Sequence, residues 1–411
     1  MAHSALGSLC LTYRLLWGPE RLAVAVQLHI EPDRDSAIDA AHLLALFDNL
    51  WPQQAPQLIL CIHSRKLLLD VLAHATPQSP WIEVNQSDLL EPRVREQARL
   101  ASARQSRLVW SGMPGHRPAP EIAALFHEQL ICLSPAEDLQ LHGLPDSPAP
   151  AALADALRQH LVQAPLDPQL AIHCLDLLGA RAILGWPMPS PHQTGQAATP
   201  VEGPSRSGIE RTIKAIDQDA SLDAIEQSLS DNPVLIYRFL HHLSSTAAGR
   251  RGDIESLHHG LMLMGHTGLK NWLYSQLALA STNVNLRPVR ATLTTRAHLV
   301  AHLLDAGSEG NLRREVYLCG LLSQIDLLLG EPLPQALERI PLPARIEQAL
   351  LAGEGPYRPY LDIAAALEVP RAGLIQKLSA EHGIGLEAIN RALLRTLSEL
   401  RPETPAQPAS R

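Results

Sequence analysis

The pattern of apolar and polar positions changes character once along the chain. Up to about residue 190, short apolar runs alternate with longer amphipathic stretches. Residues 21–28, 57–62, 81–84, 107–110 and 130–133 are short and rich in Leu, Ile and Val, so they predict strands. Residues 37–50, 65–72, 93–103 and 121–126 predict the helices between them. In the first of these, Ile38, Ala41, Leu44, Ala45 and Phe47 fall near one face. Helical patterns continue at 151–162 and 169–178, ahead of a last apolar run at 182–186. Strands separated by helices predict a parallel sheet with crossover helices, open or closed into a barrel.

From residue 209 to 400 the pattern is helical throughout. Asn232 ahead of Pro233 places a capping side chain before a first helical residue. Leu235, Ile236, Phe239, Leu240 and Leu243 then form one apolar stripe. Ser256 caps a second helix with Leu257, Leu261 and Met264 on its buried face, and Gly265 ends it. Thr267 caps a third, with Leu269, Trp272, Leu273 and Leu277 facing in. More helices are expected at 296–304, 314–329, 335–339, 344–351, 360–367, 371–382 and 386–400. The stretch 189–208 is rich in Pro, Gly, Ser, Thr and Gln and has almost nothing to bury. The expected organisation is an α/β domain over 1–190, a flexible linker over 191–208, an all-helical domain over 209–400 and a disordered tail over 401–411.

Composition narrows the function classes. The net charge of −8 gives no sequence-wide attraction to nucleic acid. No apolar run reaches the ~18 residues that span a bilayer. The five cysteines are odd in number, scattered and without a CxxC pair, which fits reduced thiols packed as small hydrophobes. The first residues lack a basic leader and a cleavage site, so a mature cytoplasmic protein is expected.

The order of residues in the helical half resembles the HDOD family. Its carriers are Asn232-Pro233-Val234-Leu235, Phe239-Leu240, the run from Leu243 through Ser244-Ser245-Thr246-Ala247-Ala248 to Gly249, Ile254-Glu255-Ser256-Leu257, and Leu263-Met264-Gly265. Asn232 replaces the usual acidic residue before Pro233, and Ser244 stands where Asn is usual. The resemblance implies an all-helical relative of HD phosphohydrolases that has lost their metal ligands. In those enzymes a His-Asp pair sits in a GLLHDIG-like segment. Here the segment is Gly320-Leu321-Leu322-Ser323-Gln324-Ile325-Asp326, and neutral Ser323 and Gln324 take the His and Asp slots. Neither is a good ligand for a hard divalent ion.

The first half resembles EAL phosphodiesterase domains. Tyr13-Arg14-Leu15-Leu16-Trp17 sits where those domains carry a Y-E-L-L-like strand, and residues 180–191 resemble their closing motif. The resemblance implies a divergent, reduced TIM-barrel-like domain. Active members hydrolyse cyclic di-GMP with two divalent ions held by strand-end carboxylates and an Asn. Here Arg14 takes a Glu position and His63 the Asn position, while Glu83 can keep a third-strand ligand. The fourth strand ends Trp110-Ser111-Gly112, the fifth reads Cys132-Leu133-Ser134, and Leu184 replaces the closing Gln. One retained acid cannot hold two cations.

The remaining polar clusters read as structure. His298 and His302 are four apart on a helix, with Asp305 nearby, a metal-compatible spacing. With 19 His in the chain, a chance pair on a helix face is the better reading. Adjacent pairs such as His241-His242 and His258-His259 point to different faces. Residues 250–253 form a charged turn, and Glu354 between Gly353 and Gly355 a plain connection. The expectation is a non-catalytic signalling protein with no catalytic residue, metal or cofactor. It works through protein partners or self-association, without membrane, nucleic acid or cyclic di-GMP binding. Arg14, His63 and Glu83 line its vestigial pocket. A non-hydrolysing cyclic di-GMP receptor, or a weak phosphodiesterase, is the alternative.

Overall fold

In the computed structural model, residues 5–33, 38–142, 151–163, 167–188, 203–245, 257–304 and 310–400 are described. The chain divides into two compact units, one of residues 1–187 with 365–402, the other of residues 188–364 with 403–411.

The first unit is built on a closed barrel of eight strands in chain order. The strands are β1 (Leu9–Trp17), β2 (Ala23–Pro32), β3 (Gln57–Ile62), β4 (Trp81–Asn85), β5 (Leu108–Gly112), β6 (Glu128–Ile131), β7 (Leu161–Gln163) and β8 (Ala182–Leu184). A tight turn joins β1 to β2: Gly18 N donates to Leu22 O, Arg21 N donates to Gly18 O, and Arg21 takes a φ of 58°. So short a connection permits only an antiparallel pair. From β2 to β8 all neighbours are parallel, and β8 closes antiparallel onto β1 with Leu16 opposite Leu184.

Parallel neighbours need crossovers. These hold α1 (Ala40–Leu50), α2 (Arg65–His74), α3 (Pro92–Ala103), α4 (Pro120–Ala123), α5 (Pro135–His142), α6 (Ala151–Leu157) and α7 (Pro168–Asp176). Asp39, Ser64 and Asp167 cap α1, α2 and α7 by accepting from the backbone N–H three residues on. The expected strands are present. The barrel is complete in strand number, so the expected reduction is not seen in its strands. The helix expected over 151–162 stops at Leu157, and Leu161 and Val162 instead open β7, which bridges β6 and β8.

The second unit is helical. It contains α8 (Arg206–Asp217), α9 (Leu222–Ser230), α10 (Pro233–Ser245), α11 (Leu257–Leu277), α12 (Arg287–Leu303), α13 (Gly310–Leu322), α14 (Asp326–Leu329), α15 (Leu333–Leu337) and α16 (Ala344–Glu347), and most of α17 (Arg358–Leu367). Asn232 caps α10 as expected and is fully buried: its Oδ1 accepts from Leu235 N and its Nδ2 donates to Ser205 O. Gly265 breaks α11 at φ 66° and ψ 166°. Trp272 is core, edge-on to Phe239 at 5.4 Å between ring centroids. The expected linker is shorter than residue 208, since α8 starts at Arg206 under a Ser205 cap. Residues 189–202, 246–256 and 401–411 lie outside the described residues, and with them the rest of the linker, the expected Ser256 cap and the tail.

The last two helices, α18 (Ala372–His382) and α19 (Leu386–Ser398), belong to the barrel unit and not to the helical one. The reason is local. Asn390 on α19 is fully buried, and its Nδ2 donates to the carbonyls of Leu6 and Leu9, each at 2.8 Å. On α18, Gln376 Nε2 donates to Asp33 Oδ1 at 2.9 Å. Among the described residues no helix is long and apolar enough to cross a membrane.

Candidate functional site

Alternate residues of a barrel strand point inward. The inward set forms two layers here. Leu16, Ala25, Ile59, Val109, Leu130, Leu161, Ala182 and Leu184 make one apolar cluster, with Trp81 and Cys132 against it. Stepping by two along β2, β3, β4 and β5 gives Gln27 and His29, Cys61 and His63, Glu83, then Ser111. These lie toward the C-terminal ends of the parallel strands, the face where (β/α) barrels assemble their sites. Cross-strand register aligns them: His29 faces Cys61, Cys61 faces Glu83, and Arg14 on β1 faces Gln27.

Glu83 is the centre of this layer and only 8% exposed. Gln27 Nε2 donates to its Oε2 at 2.5 Å. Ser111 and the Cys61 thiol also donate to the carboxylate. Burial raises the Glu83 pKa, while the Ser111 and Gln27 hydrogen bonds and the nearby His63 pull it back. Burial lowers the Arg14 pKa, with Cys132 and Glu83 opposing. The Arg14 guanidinium donates from Nη2 to Leu184 O at 3.2 Å and makes no ion pair among the described residues.

His29 and His63 meet through Nδ1 and Nε2 at 3.0 Å, with the rings near parallel. His29 is 9% exposed, and burial with His63 and Arg14 lowers its pKa to about 3. His63 lies exposed at the rim. Burial raises the Cys61 thiol, with Glu83 adding to it, and pushes Cys132 up to about 11.

The three expected pocket residues therefore share one environment: Glu83 opposes the lowering of Arg14, and His63 favours the charged form of Glu83. Sequence reasoning missed Gln27, His29 and Cys61. The signal was a polar residue at every second place in an apolar run, Gln27 with His29 and Cys61 with His63.

The helical unit holds a cavity of about 320 Å³, lined among others by Glu226, Ile236, His298, Arg313, Tyr317 and Leu318. Asp223, Glu226 and His258 gather at its edge. Arg314 binds both carboxylates, at 2.5 Å to Asp223 and 3.4 Å to Glu226, and His258 Nδ1 sits 2.8 Å from Glu226. That is an ion-pair network in which Arg314 bridges the two carboxylates. His298 packs edge-on to Tyr317 at 4.9 Å between centroids, as a helix-face residue does. His298 and His302 belong to neither of the two ligand-like groups found among the described residues. Asp305 and residues 250–253 lie outside those residues.

Residues 209–350 match the HDOD domain family. Two relatives overlap the chain in part. The Vibrio cholerae protein named cyclic di-GMP phosphodiesterase CdgJ is 23% identical over 182 residues, 41% of this chain and 39% of that protein. The uncharacterised Bacillus subtilis protein YuxH is 28% identical over 164 residues, 39% of this chain and 36% of that protein. The chain thus spans well under half the length of either. Among solved structures, the manganese/cyclic di-GMP complex of Klebsiella pneumoniae BlrP1 overlaps 44% of this chain and 55% of its own at 14% identity, with a TM-score of 0.31. The EAL enzyme Bd1971, with cAMP and cyclic di-GMP bound, overlaps 44% and 61% at 8% identity and a TM-score of 0.32. Overlaps of that quality leave the chemistry of the barrel to its own residues.

Within the HDOD region, Ser323 and Gln324 follow the end of α13. Ser323 Oγ donates to Gly320 O at 2.7 Å, a helix-end bond that uses up its hydroxyl proton. Gln324 Oε1 is buried with no hydrogen-bond partner. No carboxylate or imidazole stands at either slot.

Proposed function

We propose that this chain is a non-catalytic signal-transduction protein of a cyclic di-GMP-related pathway, such as control of motility or biofilm. It acts as a scaffold or adaptor through protein contacts. The observation that carries this reading is Glu83. Two-metal phosphodiester hydrolysis needs two hard cations close together, clamped by several oxygen ligands. The described barrel mouth offers one inward carboxylate, and Gln27, Ser111 and Cys61 already donate to it. Arg14 adds positive charge beside it. The residues present do not fit a pair of hard ions. Ser323 and Gln324 remove the second metal chemistry from the HDOD region. The partial likeness to a protein named as a cyclic di-GMP phosphodiesterase supports the pathway.

The test is chromatography of cyclic di-GMP after incubation with the full chain and magnesium or manganese. No linear dinucleotide is expected. Product whose formation Glu83→Ala abolishes would overturn the reading.

Arg14 favours a second reading, a receptor that binds without hydrolysis. A half-buried guanidinium without a carboxylate partner can take a phosphate oxygen. Calorimetric heat with cyclic di-GMP, lost in Arg14→Ala and unaccompanied by product, would select it over the adaptor.

A further inference from the structure

The barrel mouth rejects hard ions, yet it holds a donor set of another kind. His29, Cys61 and His63 each offer one ligand atom, and all three atoms lie within 4.8 Å of one another. We propose that these residues form a binding site for a single thiophilic d¹⁰ cation of the zinc class.

The backbone brings the three together. His29 and Cys61 are paired neighbours on β2 and β3. His63 follows Cys61 by two residues and so projects from the same face of the chain. His63 N donates to Ile30 O at 3.0 Å, which carries the β2–β3 ladder past the strand end and fixes His63 beside His29. The ring nitrogens are already 3.0 Å apart. A tetrahedral zinc with Zn–N bonds of ~2.0–2.1 Å separates two nitrogens by about 3.3 Å, so little movement is needed.

The chemistry matches as well. A thiolate with two imidazoles suits zinc and disfavours magnesium, calcium and manganese. His29 is nine-tenths buried, and its second nitrogen, Nε2, has no hydrogen-bond partner. Coordination through Nδ1, the nitrogen that faces His63, leaves the ring proton on Nε2. His63 is exposed and gives the ion a way in. Coordination breaks the Cys61 S–H bond, forms a metal–sulfur bond and releases one proton. The fourth position is left to water or to a ligand, as in zinc sites with three protein ligands. This site does not depend on the adaptor reading.

The experiment is a cobalt(II) titration of the full chain in a non-thiol reductant, read by optical absorption. One equivalent should give the visible bands of tetrahedral cobalt and a near-ultraviolet thiolate-to-cobalt band, and zinc should erase both. Cys61→Ser should lose the thiolate band, whereas Cys132→Ser should keep it. Loss of an outer-shell partner alone costs ~10- to 100-fold in metal affinity, and His63→Asn should cost at least that. This variant leaves Cys61 and His29 in place, and a melting temperature close to the parent's shows that any lost affinity is not lost folding. No thiolate band at any cobalt concentration would overturn the proposal. So would a band that survives Cys61→Ser, or an affinity that His63→Asn leaves unchanged.

Discussion

Glu83 and His29 give the buried polar layer two opposed pH responses. The Glu83 pKa is raised above its ordinary 4.5. Its contribution to stability is therefore full below 4.5 and is lost as pH rises through the folded value. His29 is lowered from 6.5 to about 3, so the folded barrel excludes a proton that the unfolded chain accepts. Stability from that group is present above 6.5 and falls as pH drops toward about 3. Glu83→Gln removes the first response while leaving an amide that can still hydrogen-bond. The variant should exceed the parent in thermal stability at mildly alkaline pH, and the gap should shrink in mild acid. The change should approach ~1.4 kcal/mol per pH unit where Glu83 titrates. A gap independent of pH would contradict a buried, titrating Glu83. At this scale the sequence pointed to Arg14, His63 and Glu83 through a motif. It did not point to Gln27, His29 or Cys61, because no motif letter falls on them. Only the closed barrel shows that their alternation faces the same interior as Glu83.

Helices meet closely where Gly320 lies on α13. A Cβ there would stand 2.8 Å from the Ala297 Cα on α12, a backbone atom that cannot step aside. Gly320→Ala gains helix propensity of up to ~1 kcal/mol. It also forces two packed helices apart, an overpacking cost of typically ~1–3 kcal/mol. Net destabilisation is expected, read as an earlier urea midpoint with a small change in slope; no shift would contradict the close contact.

Asn390 holds α19 in the same way that a cap holds a helix end. Asn390→Ala leaves the Leu6 and Leu9 carbonyls without their buried donor, a loss of about 2 kcal/mol. Hydrogen exchange along β1 should rise with it, and unchanged exchange would contradict the docking of α19 on the barrel unit. The helices themselves were legible from periodicity and from caps such as Asn232. Their assignment was not. An amphipathic helix shows that it has an apolar face, but not which surface covers it, so α18 and α19 read as part of the preceding helical run. For the same reason β7 was hidden, since three residues carry no period and become a strand only by bridging β6 and β8.

The whole molecule comprises an eight-stranded α/β barrel and a helical unit of which residues 209–350 match the HDOD family. In the HDOD region the neutral side chains of Ser323 and Gln324 follow the end of α13. In the barrel the remaining carboxylate is held by donors next to a guanidinium. On the reading proposed above, such a protein works by binding partners and not by hydrolysis. Manganese titration in the presence of cyclic di-GMP, followed by paramagnetic resonance of the free ion, tests this most directly. The account predicts that manganese stays free and the nucleotide stays intact. Two equivalents of manganese bound, with binding lost in Glu83→Ala, would show a working hard-metal centre and contradict it.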